Sequence, residues 1–309
     1  MLNAADVEAF LAARFRGEIS NVSSILLGEW SRAYAFRRDG AEYIVRFSAL
    51  DEDFRKDQIA AGYSSRDLPI PAIVEIGETD SGFFAISERA AGGFLDDLND
   101  EEMRRMLPAL FAALDAARHV DLSVSTGYGG WGADGNAPFN SWRAALLAIA
   151  EDRPGERTHG WRERLMASPT GSGPFHEGLT RLDALIPDGA EERHLIHSDL
   201  LNFNVLVADG RISAVIDWGC AMYGDFLYDL AWFEFWSPWY AAWRGIDFRR
   251  EAARHYASIG LTVPRFEERL TACQIHIGLA AQAYNAFKQR WDALKETAQR
   301  TLEVASAHR

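Results

Sequence analysis

The sequence predicts an α+β fold of two lobes, with a small antiparallel β lobe over residues 1–92 and a larger, mainly helical lobe over residues 93–309. Short β-like segments separated by turn signals fill the first part of the chain, whereas helical periodicity dominates the second. A chain of 309 residues with 48% hydrophobic residues is long enough to bury a core in each lobe.

The first lobe begins with a helix and continues as a sheet. The helix over residues 3–16 has one apolar face, made of Val7, Phe10, Leu11 and Phe15. Strands are predicted in SSILLG, RAYAFRR and AEYIVRFSA, and Asp39-Gly40 marks a hairpin turn between the last two. A helical segment near residues 54–65 precedes two further strands, in LPIPAIVEIGE and GFFAISERAAGG.

The second lobe reads as helices with one small β insertion. Helices are predicted over residues 101–119 and 140–151, with the Gly-rich loop STGYGGWGADGNAP between them. Two Pro- and Gly-rich loops follow, around residues 153–160 and 168–174. Short strands return over residues 195–215, and the chain is helical again from Asp229 onward, with the aromatic cluster AWFEFWSPWYAAW.

The β insertion is predicted to bring three polar side chains together. NVLVA and ISAVI alternate as a hairpin with its turn at Asp209-Gly210. Residues just before the first strand and just after the second meet at one end of a hairpin, so Asp199, Asn204 and Asp217 should lie close to one another. The oxygens of Asn204 and Asp217 suit Mg²⁺, which takes oxygen ligands and keeps waters and phosphates in its shell.

Asp199 is then available for a different role. Phosphoryl transfer needs a metal clamp on the phosphates and an acidic residue that orients the attacking hydroxyl group or accepts its proton. Asp199 precedes Asn204 by five residues, and a hairpin separates both from Asp217, which is the order this chemistry uses. His197 is expected to hold this loop by hydrogen bonds and not to take part in the reaction.

Composition and charge exclude several classes of function. A formal net charge of −13 argues against a nucleic-acid partner and favours cationic ligands. No segment approaches the roughly 20 apolar residues of a membrane span, and Asp6 and Glu8 stand where a secretion signal would be basic, so we expect a cytoplasmic protein. We also expect a monomer, in which Cys220 and Cys273 are buried and form no disulfide.

The segments HSDLLNFNVLV, VIDWG and YGDFLYDLAWFEFW together resemble the aminoglycoside phosphotransferase family, antibiotic kinases with a protein-kinase-like fold. The resemblance extends to EAFLAARF, LPIPAIVEIGE and STGYGGWGADG, and so covers most of the chain. It implies an ATP-binding first lobe and phosphate chemistry in the second, with Asp199 as the catalytic base and Asn204 and Asp217 as Mg²⁺ ligands. It further implies that Asp229 supports the catalytic loop from beneath.

The resemblance also locates the nucleotide. It implies a hinge near residues 87–90 whose backbone meets the adenine, with Glu88 and Ala90 as contacts. Ser31, in LLGEWSRAYAF, occupies the place of the phosphate-covering loop, although the segment has only Gly28 and no full G-x-G-x-x-G pattern.

The phosphate-binding cation departs from the general kinase pattern. Arg46, in IVRF, stands where a kinase strand carries a lysine paired with a Glu on the next helix. Asp57 or Asp53 is the nearest acid, and Lys56 is the nearest lysine. Because the planar guanidinium group can hold phosphate through two parallel hydrogen bonds, either Arg46 or Lys56 could bind the nucleotide phosphates.

The acceptor site is expected among the acids and aromatic residues that follow the catalytic block. Besides Asp199, the candidates are Asp225, Glu234 and Trp236, since ammonium groups favour carboxylates and aromatic faces. The resulting prediction is an ATP- and Mg²⁺-dependent phosphotransferase acting on a hydroxyl group of a small cationic antibiotic, with hygromycin B as the leading acceptor. A metabolic kinase for an amino alcohol or sugar, and a nucleotide-binding module without activity, are the alternatives, and GTP in place of ATP stays open.

Overall fold

The computed structural model describes residues 3–15, 19–27, 31–186 and 192–307. Its helices are α1 (Ala4–Arg14), α2 (Glu52–Ala61), α3 (Asp100–Arg118), α4 (Trp142–Leu147), α5 (Trp161–Ala167), α6 (Gly173–Leu185), α7 (Leu227–Trp236), α8 (Phe248–Ser258), α9 (Phe266–Phe287) and α10 (Trp291–Ser306). Its strands are β1 (Ile19–Leu27), β2 (Arg32–Arg38), β3 (Ala41–Ser48), β4 (Ile73–Thr79), β5 (Gly82–Glu88), β6 (Gly93–Phe94), β7 (Gly129–Gly130), β8 (His194–Ile196), β9 (Val205–Ala208), β10 (Arg211–Val215) and β11 (Met222–Gly224).

The chain divides into two compact units, which we call unit 1 and unit 2. Unit 1 comprises Met1–Asp97, Gly132–Gly135 and Phe203–Cys220. Unit 2 comprises Leu98–Trp131, Asn136–Asn202 and Ala221–Arg309.

Unit 1 contains a five-stranded antiparallel sheet in the order β1-β2-β3-β5-β4. The turn between β2 and β3 has both Asp39 and Gly40 in the left-handed region, at φ 53° and 84°, as a two-residue hairpin turn requires. Helix α1 covers the sheet with Val7 and Leu11, which are fully buried among Tyr34, Phe36, Val45, Phe84 and Ile86. The predicted strands and the apolar face of the first helix are confirmed.

A second sheet of unit 1 holds the predicted hairpin. Strands β9 and β10 pair Ala208 with Arg211 around the turn at Asp209-Gly210. The two-residue strand β6 pairs with β9 through Gly93 and Phe94, giving the order β10-β9-β6. The hairpin is therefore part of the unit that carries the five-stranded sheet, although residues 95–204 separate β9 from β6 in the sequence.

Unit 2 is mainly helical and is built around α9, whose side chains are buried along most of its length. Helices α5, α6, α7 and α10 all pack against it. A three-stranded sheet in the order β7-β11-β8 is the other element of this unit. None of the helices that the structure describes is long and apolar enough to cross a membrane.

The cysteines follow the expectation only in part. Cys273, on α9, is buried. Cys220 is exposed, so the prediction of a buried side chain was wrong there. Cys220 ends a short 3₁₀ turn, Trp218–Cys220, in which Trp218 takes the buried position and leaves Cys220 facing outward.

Candidate active site

The hairpin of unit 1 brings Asn204 and Asp217 together at its open end. Val205 pairs with Val215, and the next residue, Ile216, donates its N–H to the Asn204 carbonyl oxygen at 2.9 Å. Asn204 is buried, with 6% of its surface exposed, whereas Asp217 faces solvent. Asp217 also has a left-handed backbone, at φ 62°, which turns the chain sharply after β10.

Asp57 on α2 connects this turn to the five-stranded sheet. Its Oδ1 accepts the N–H of Trp218 at 2.8 Å, and its other oxygen forms an ion pair with Arg46 on β3. The Arg46 and Asp57 side chains are 17% and 6% exposed, so the pair is largely shielded from water. Burial alone would lower the pKa of Arg46, but Asp57 outweighs burial and the pKa is raised. Arg46 therefore stays charged at this position.

Lys56, the other candidate cation, has a different environment. It is 4% exposed, and its ammonium group donates to the carbonyl oxygen of Gly219 at 2.5 Å. Burial lowers the pKa of Lys56, and nearby acids oppose that effect. Gly219 itself lies close to α2, because a Cβ atom there would be 3.2 Å from the Asp53 carboxyl carbon. Lys56 and Gly219 thus hold α2 against the turn that carries Asp217.

Negative charge is in excess around the turn that carries Asp217. The pKa of Asp217 is raised, first because surrounding protein removes water from one side of the carboxylate, and then because Asp57 and Asp53 are near. Arg46 acts in the opposite direction but does not cancel these effects. A bound cation would stabilise the ionised form of the Asp217 carboxylate, because it would offset the negative charges of Asp57 and Asp53 nearby.

The loop that carries Asp199 lies in unit 2 and is fixed from below by Asp229. The two carboxylate oxygens of Asp229 accept the N–H groups of His197, at 2.9 Å, and Ser198, at 2.8 Å. Ser198 has a left-handed backbone, at φ 62°, which is uncommon for a residue with a side chain. The contacts expected of Asp229 are confirmed.

Asp199 follows directly and is half-buried. Its backbone N–H lies 3.2 Å from the His197 Nδ1 atom, and its Oδ1 accepts a hydrogen bond from the Asn202 side chain at 2.7 Å. His197 is 1% exposed, so it holds the loop from within the protein. The expected positioning role of His197 agrees with this geometry.

Helix α7 presents two aromatic rings on the same face as Asp229. At 3.6 residues per turn, Trp232 and Trp236 lie one and two turns beyond Asp229, within about 60° of it around the helix. Their ring centroids are 6.0 Å apart. Both indole Nε1 atoms are buried and lack a hydrogen-bond partner in the described part of the chain. Such buried donors are costly unless something accepts from them.

Two other predicted acceptor residues have protein partners. Asp225 is 2% exposed and accepts two hydrogen bonds from Arg269, at 2.7 and 2.8 Å. Glu234 is turned by about 140° from Asp229 around α7, so it points away from the loop that carries Asp199. Its Oε1 accepts the N–H of Arg249, at the start of α8. These contacts favour structural roles for Asp225 and Glu234.

The remaining nucleotide candidates lie around the five-stranded sheet. Ser31 directly precedes β2, while Gly28 lies outside the described residues. Glu88 ends β5, is exposed, and donates its N–H to the Ala72 carbonyl oxygen at 3.3 Å. Ala90 follows in the connection to β6 and is half-buried. The structure does not link these residues to the Asp217 turn by any described hydrogen bond.

Fold and site together define a class of protein. An antiparallel sheet unit together with a mainly helical unit is the arrangement of a protein-kinase-like fold, and solved structures of aminoglycoside phosphotransferases have this fold. Residues 22–268 match the sequence profile of the phosphotransferase enzyme family, so the chain belongs to that family. The predicted fold class and family are confirmed.

Individual relatives are similar over most of their length. Hygromycin-B 4-O-kinase of Escherichia coli is 35% identical over 280 residues, which cover 90% of this chain and 78% of the relative. The crystal structure of aminoglycoside phosphotransferase APH(4)-Ia has a TM-score of 0.86 at 31% identity, covering 99% of this chain and 100% of that one. A thermostable mutant of APH(4)-Ia, solved with AMP-PNP and hygromycin B, has a TM-score of 0.84 at 32% identity, covering 97% of each chain.

Proposed function

We propose that this protein transfers the γ-phosphate of ATP to a hydroxyl group of hygromycin B or a closely related aminoglycoside, in a reaction that needs Mg²⁺. The observation that carries the proposal is the loop held by Asp229, which presents the Asp199 carboxylate in a family whose members transfer phosphate. The similarity to a hygromycin B kinase, and to a structure solved with AMP-PNP and hygromycin B, supports both substrates.

In this proposal Asp199 orients the acceptor hydroxyl group and receives its proton. General bases of this kind contribute about 10²- to 10⁴-fold to the rate. Asn202 and His197 position Asp199, since one donates to its carboxylate and the other contacts its backbone N–H.

Asn204 and Asp217 would hold the Mg²⁺. In the described residues, no three His, Cys, Asp or Glu side chains are placed to form a metal site from protein alone. Mg²⁺ does not require one, because it is usually bound by one or two carboxylates together with substrate phosphates. The raised pKa of Asp217 and the oxygen donors of both residues fit such an ion, which would neutralise charge on the phosphates.

Arg46 is the proposed phosphate ligand. Asp57 orients its guanidinium group, as an acid on the next helix orients the phosphate-binding lysine of kinases. Lys56 is assigned instead to the Gly219 turn, because its ammonium group already donates there.

Residues 1–92 form the proposed nucleotide-binding lobe, in which Ser31 covers the phosphates and Glu88 and Ala90 meet the adenine. Residues 93–309 contribute the catalytic loop and the acceptor helices.

The acceptor is proposed to lie on the face of α7 that carries Trp232 and Trp236. Both side chains are half-buried, so part of each ring is accessible to a ligand. The ring faces also attract ammonium groups.

The test is a phosphotransfer assay on purified protein with ATP or GTP and a panel of acceptors. We expect Mg²⁺-dependent transfer from ATP to hygromycin B, detected as a phosphorylated product by mass spectrometry. The panel also contains other aminoglycosides, amino alcohols and simple sugars, and the rate of transfer to each is compared with the rate for hygromycin B. Faster transfer to an amino alcohol or sugar than to hygromycin B would favour a metabolic kinase instead.

A further inference from the structure

The turn directly before Asn204 has an unusual backbone. Asn202 and Phe203 are both left-handed, at φ 67° each, although neither is a glycine. Residues with side chains adopt this conformation at a cost in free energy, so two in succession persist only where surrounding contacts hold them. Strained backbone of this kind clusters at functional sites, and here it precedes a proposed Mg²⁺ ligand.

Asp96 holds the second residue of this turn. Its Oδ2 atom accepts the N–H of Phe203 at 3.1 Å, across 107 positions of the sequence. The Phe203 ring also lies edge-on against the ring of Phe94, with centroids 5.3 Å apart and planes at 74°. All three residues belong to unit 1. The backbone and the ring of Phe203 are therefore both fixed by contacts from outside its own loop.

Asp96 is itself firmly placed beside the strand that follows Asn204. It lies in the 3₁₀ turn Leu95–Asp97, in which Leu95 is fully buried. That turn directly follows β6, whose last residue, Phe94, pairs with Leu206 of β9. Because β6 and β9 are antiparallel, the end of β6 meets the start of β9, which is the residue after Asn204.

The hairpin fixes the backbone of Asn204 from the other direction. The Asn204 carbonyl oxygen accepts the N–H of Ile216, the residue before Asp217. With Asp96 holding the preceding residue, the chain is restrained on both sides of the Asn204 side chain. Mg²⁺ demands near-ideal octahedral geometry, so a ligand that is displaced by a small distance binds it less well.

We propose that Asp96 is a positioning residue for the Mg²⁺ site, which accepts the Phe203 N–H and thereby directs the Asn204 amide oxygen to the metal. The inference rests on the proposed function, in which Asn204 and Asp217 are the protein ligands of Mg²⁺. Asp96 acts through the turn and does not touch the metal.

The test measures nucleotide binding as a function of Mg²⁺, so that it does not depend on turnover. Calorimetric titration of the full chain with AMP-PNP, over a series of MgCl₂ concentrations, gives the Mg²⁺ concentration for half of the Mg²⁺-dependent gain in affinity. Asp96→Ala should raise that concentration by about tenfold and leave the affinity without Mg²⁺ unchanged. Asp96→Asn should stay within about twofold of the wild type, because its amide oxygen can still accept the N–H.

Asp97→Ala is the matched control. Asp97 follows Asp96 in the same 3₁₀ turn and is exposed, so this variant removes the same charge but leaves the acceptor for Phe203 in place. It should need no more Mg²⁺ than the wild type. The inference is overturned if Asp96→Asn or Asp97→Ala is as impaired as Asp96→Ala, since the charge and not the hydrogen bond would then set the Mg²⁺ requirement.

Asp217→Ala separates this inference from the proposed function, because it should abolish the Mg²⁺-dependent gain. If it does so while Asp96→Ala leaves the Mg²⁺ requirement unchanged, only the role of Asp96 is overturned. If neither variant alters the Mg²⁺ dependence, the proposed metal site is wrong as well. Binding that Asp96→Ala weakens equally with and without Mg²⁺ would also overturn the inference, since Asp96 would then support the fold alone.

Discussion

At the scale of single residues, Asp229 determines where Asp199 can act. It is buried, and it accepts both N–H groups that set the course of the loop before Asp199. Burial raises the pKa of Asp229 to about 6, although the two N–H groups act in the opposite direction. The residue therefore changes its charge close to physiological pH.

The raised pKa of Asp229 predicts that kcat falls on the acidic side of the pH–rate profile, which gives the profile an acid limb. As the pH falls through about 6, Asp229 takes up a proton and holds the two amides less firmly, so kcat should decrease. The folded state binds this proton more tightly than the unfolded state, so the contribution of Asp229 to stability should rise over the same range. Asp229→Asn should lower kcat at pH 7.5 and remove the limb, as measured by initial rates at saturating substrates. An unchanged limb in that variant would assign it to another group.

The choice between Arg46 and Lys56 gives a second prediction at this scale. Arg46→Lys keeps the charge but loses the planar fork, so the KM for ATP should rise by about tenfold, the effect of losing one charge-assisted hydrogen bond. Lys56→Met should lower Tm and kcat with little change in that KM, because Lys56 supports Gly219. Arg37→Lys, on the exposed edge of β2, is the control. A larger effect on KM from Lys56→Met would reverse the assignment.

Some of these residue contacts could be predicted from the sequence and others could not. The hairpin that brings Asn204 and Asp217 together could be predicted, because its turn at Asp209-Gly210 has a clear signal. The catalytic role of Asp199 and the metal-binding roles of Asn204 and Asp217 stay predictions. The sequence could not separate Asp57 from Asp53, since both lie on one face of α2, one turn apart. The Arg269–Asp225 pair joins residues 44 positions apart and leaves no local signal.

At the scale of elements, packing rules decide which glycines are required. A Cβ atom on Gly224, in β11, would lie 2.3 Å from two ring carbons of Trp142, which is 3% exposed and cannot move freely. Such a clash forces a shift of the strand or the ring.

Gly224→Ala should therefore lower the free energy of unfolding by about 1–3 kcal/mol, as measured by urea denaturation. The control is Gly173→Ala in the first residue of α6, where nothing lies within 4 Å of the added Cβ atom and the helix gains up to about 1 kcal/mol. Equal stability of Gly224→Ala and the wild type would show that Trp142 can move aside.

The elements themselves were predictable where their periodicity is strong. The strands of the five-stranded sheet, the hairpin and helices α1 and α3 agree with the sequence pattern. Helices α5 and α6 were not foreseen, because they are short or lie beside Gly- and Pro-rich loops and are stabilised by packing against α9. The pairing of β6 with β9 depends on contacts distant in sequence, which periodicity does not encode.

At the scale of the whole molecule, the formal net charge of −13 should attract a cationic acceptor. Salt screens such attraction, since the Debye length falls from about 10 Å at 0.1 M to about 3 Å at 1 M ionic strength. The KM for hygromycin B should therefore rise severalfold with added KCl, while kcat changes little. Steady-state kinetics over a KCl series would measure this, and a KM independent of salt would show that the acceptor is held by uncharged contacts.

The central claim is that Asp199 carries out the phosphotransfer step. Asp199→Asn keeps the shape of the side chain and can still contact Asn202, but it removes the proton acceptor. Isothermal titration calorimetry should show ATP and hygromycin B binding nearly as in the wild type, while product mass spectrometry should show kcat reduced by about 10²- to 10⁴-fold. A variant that binds both substrates and retains a near-wild-type kcat would contradict the account.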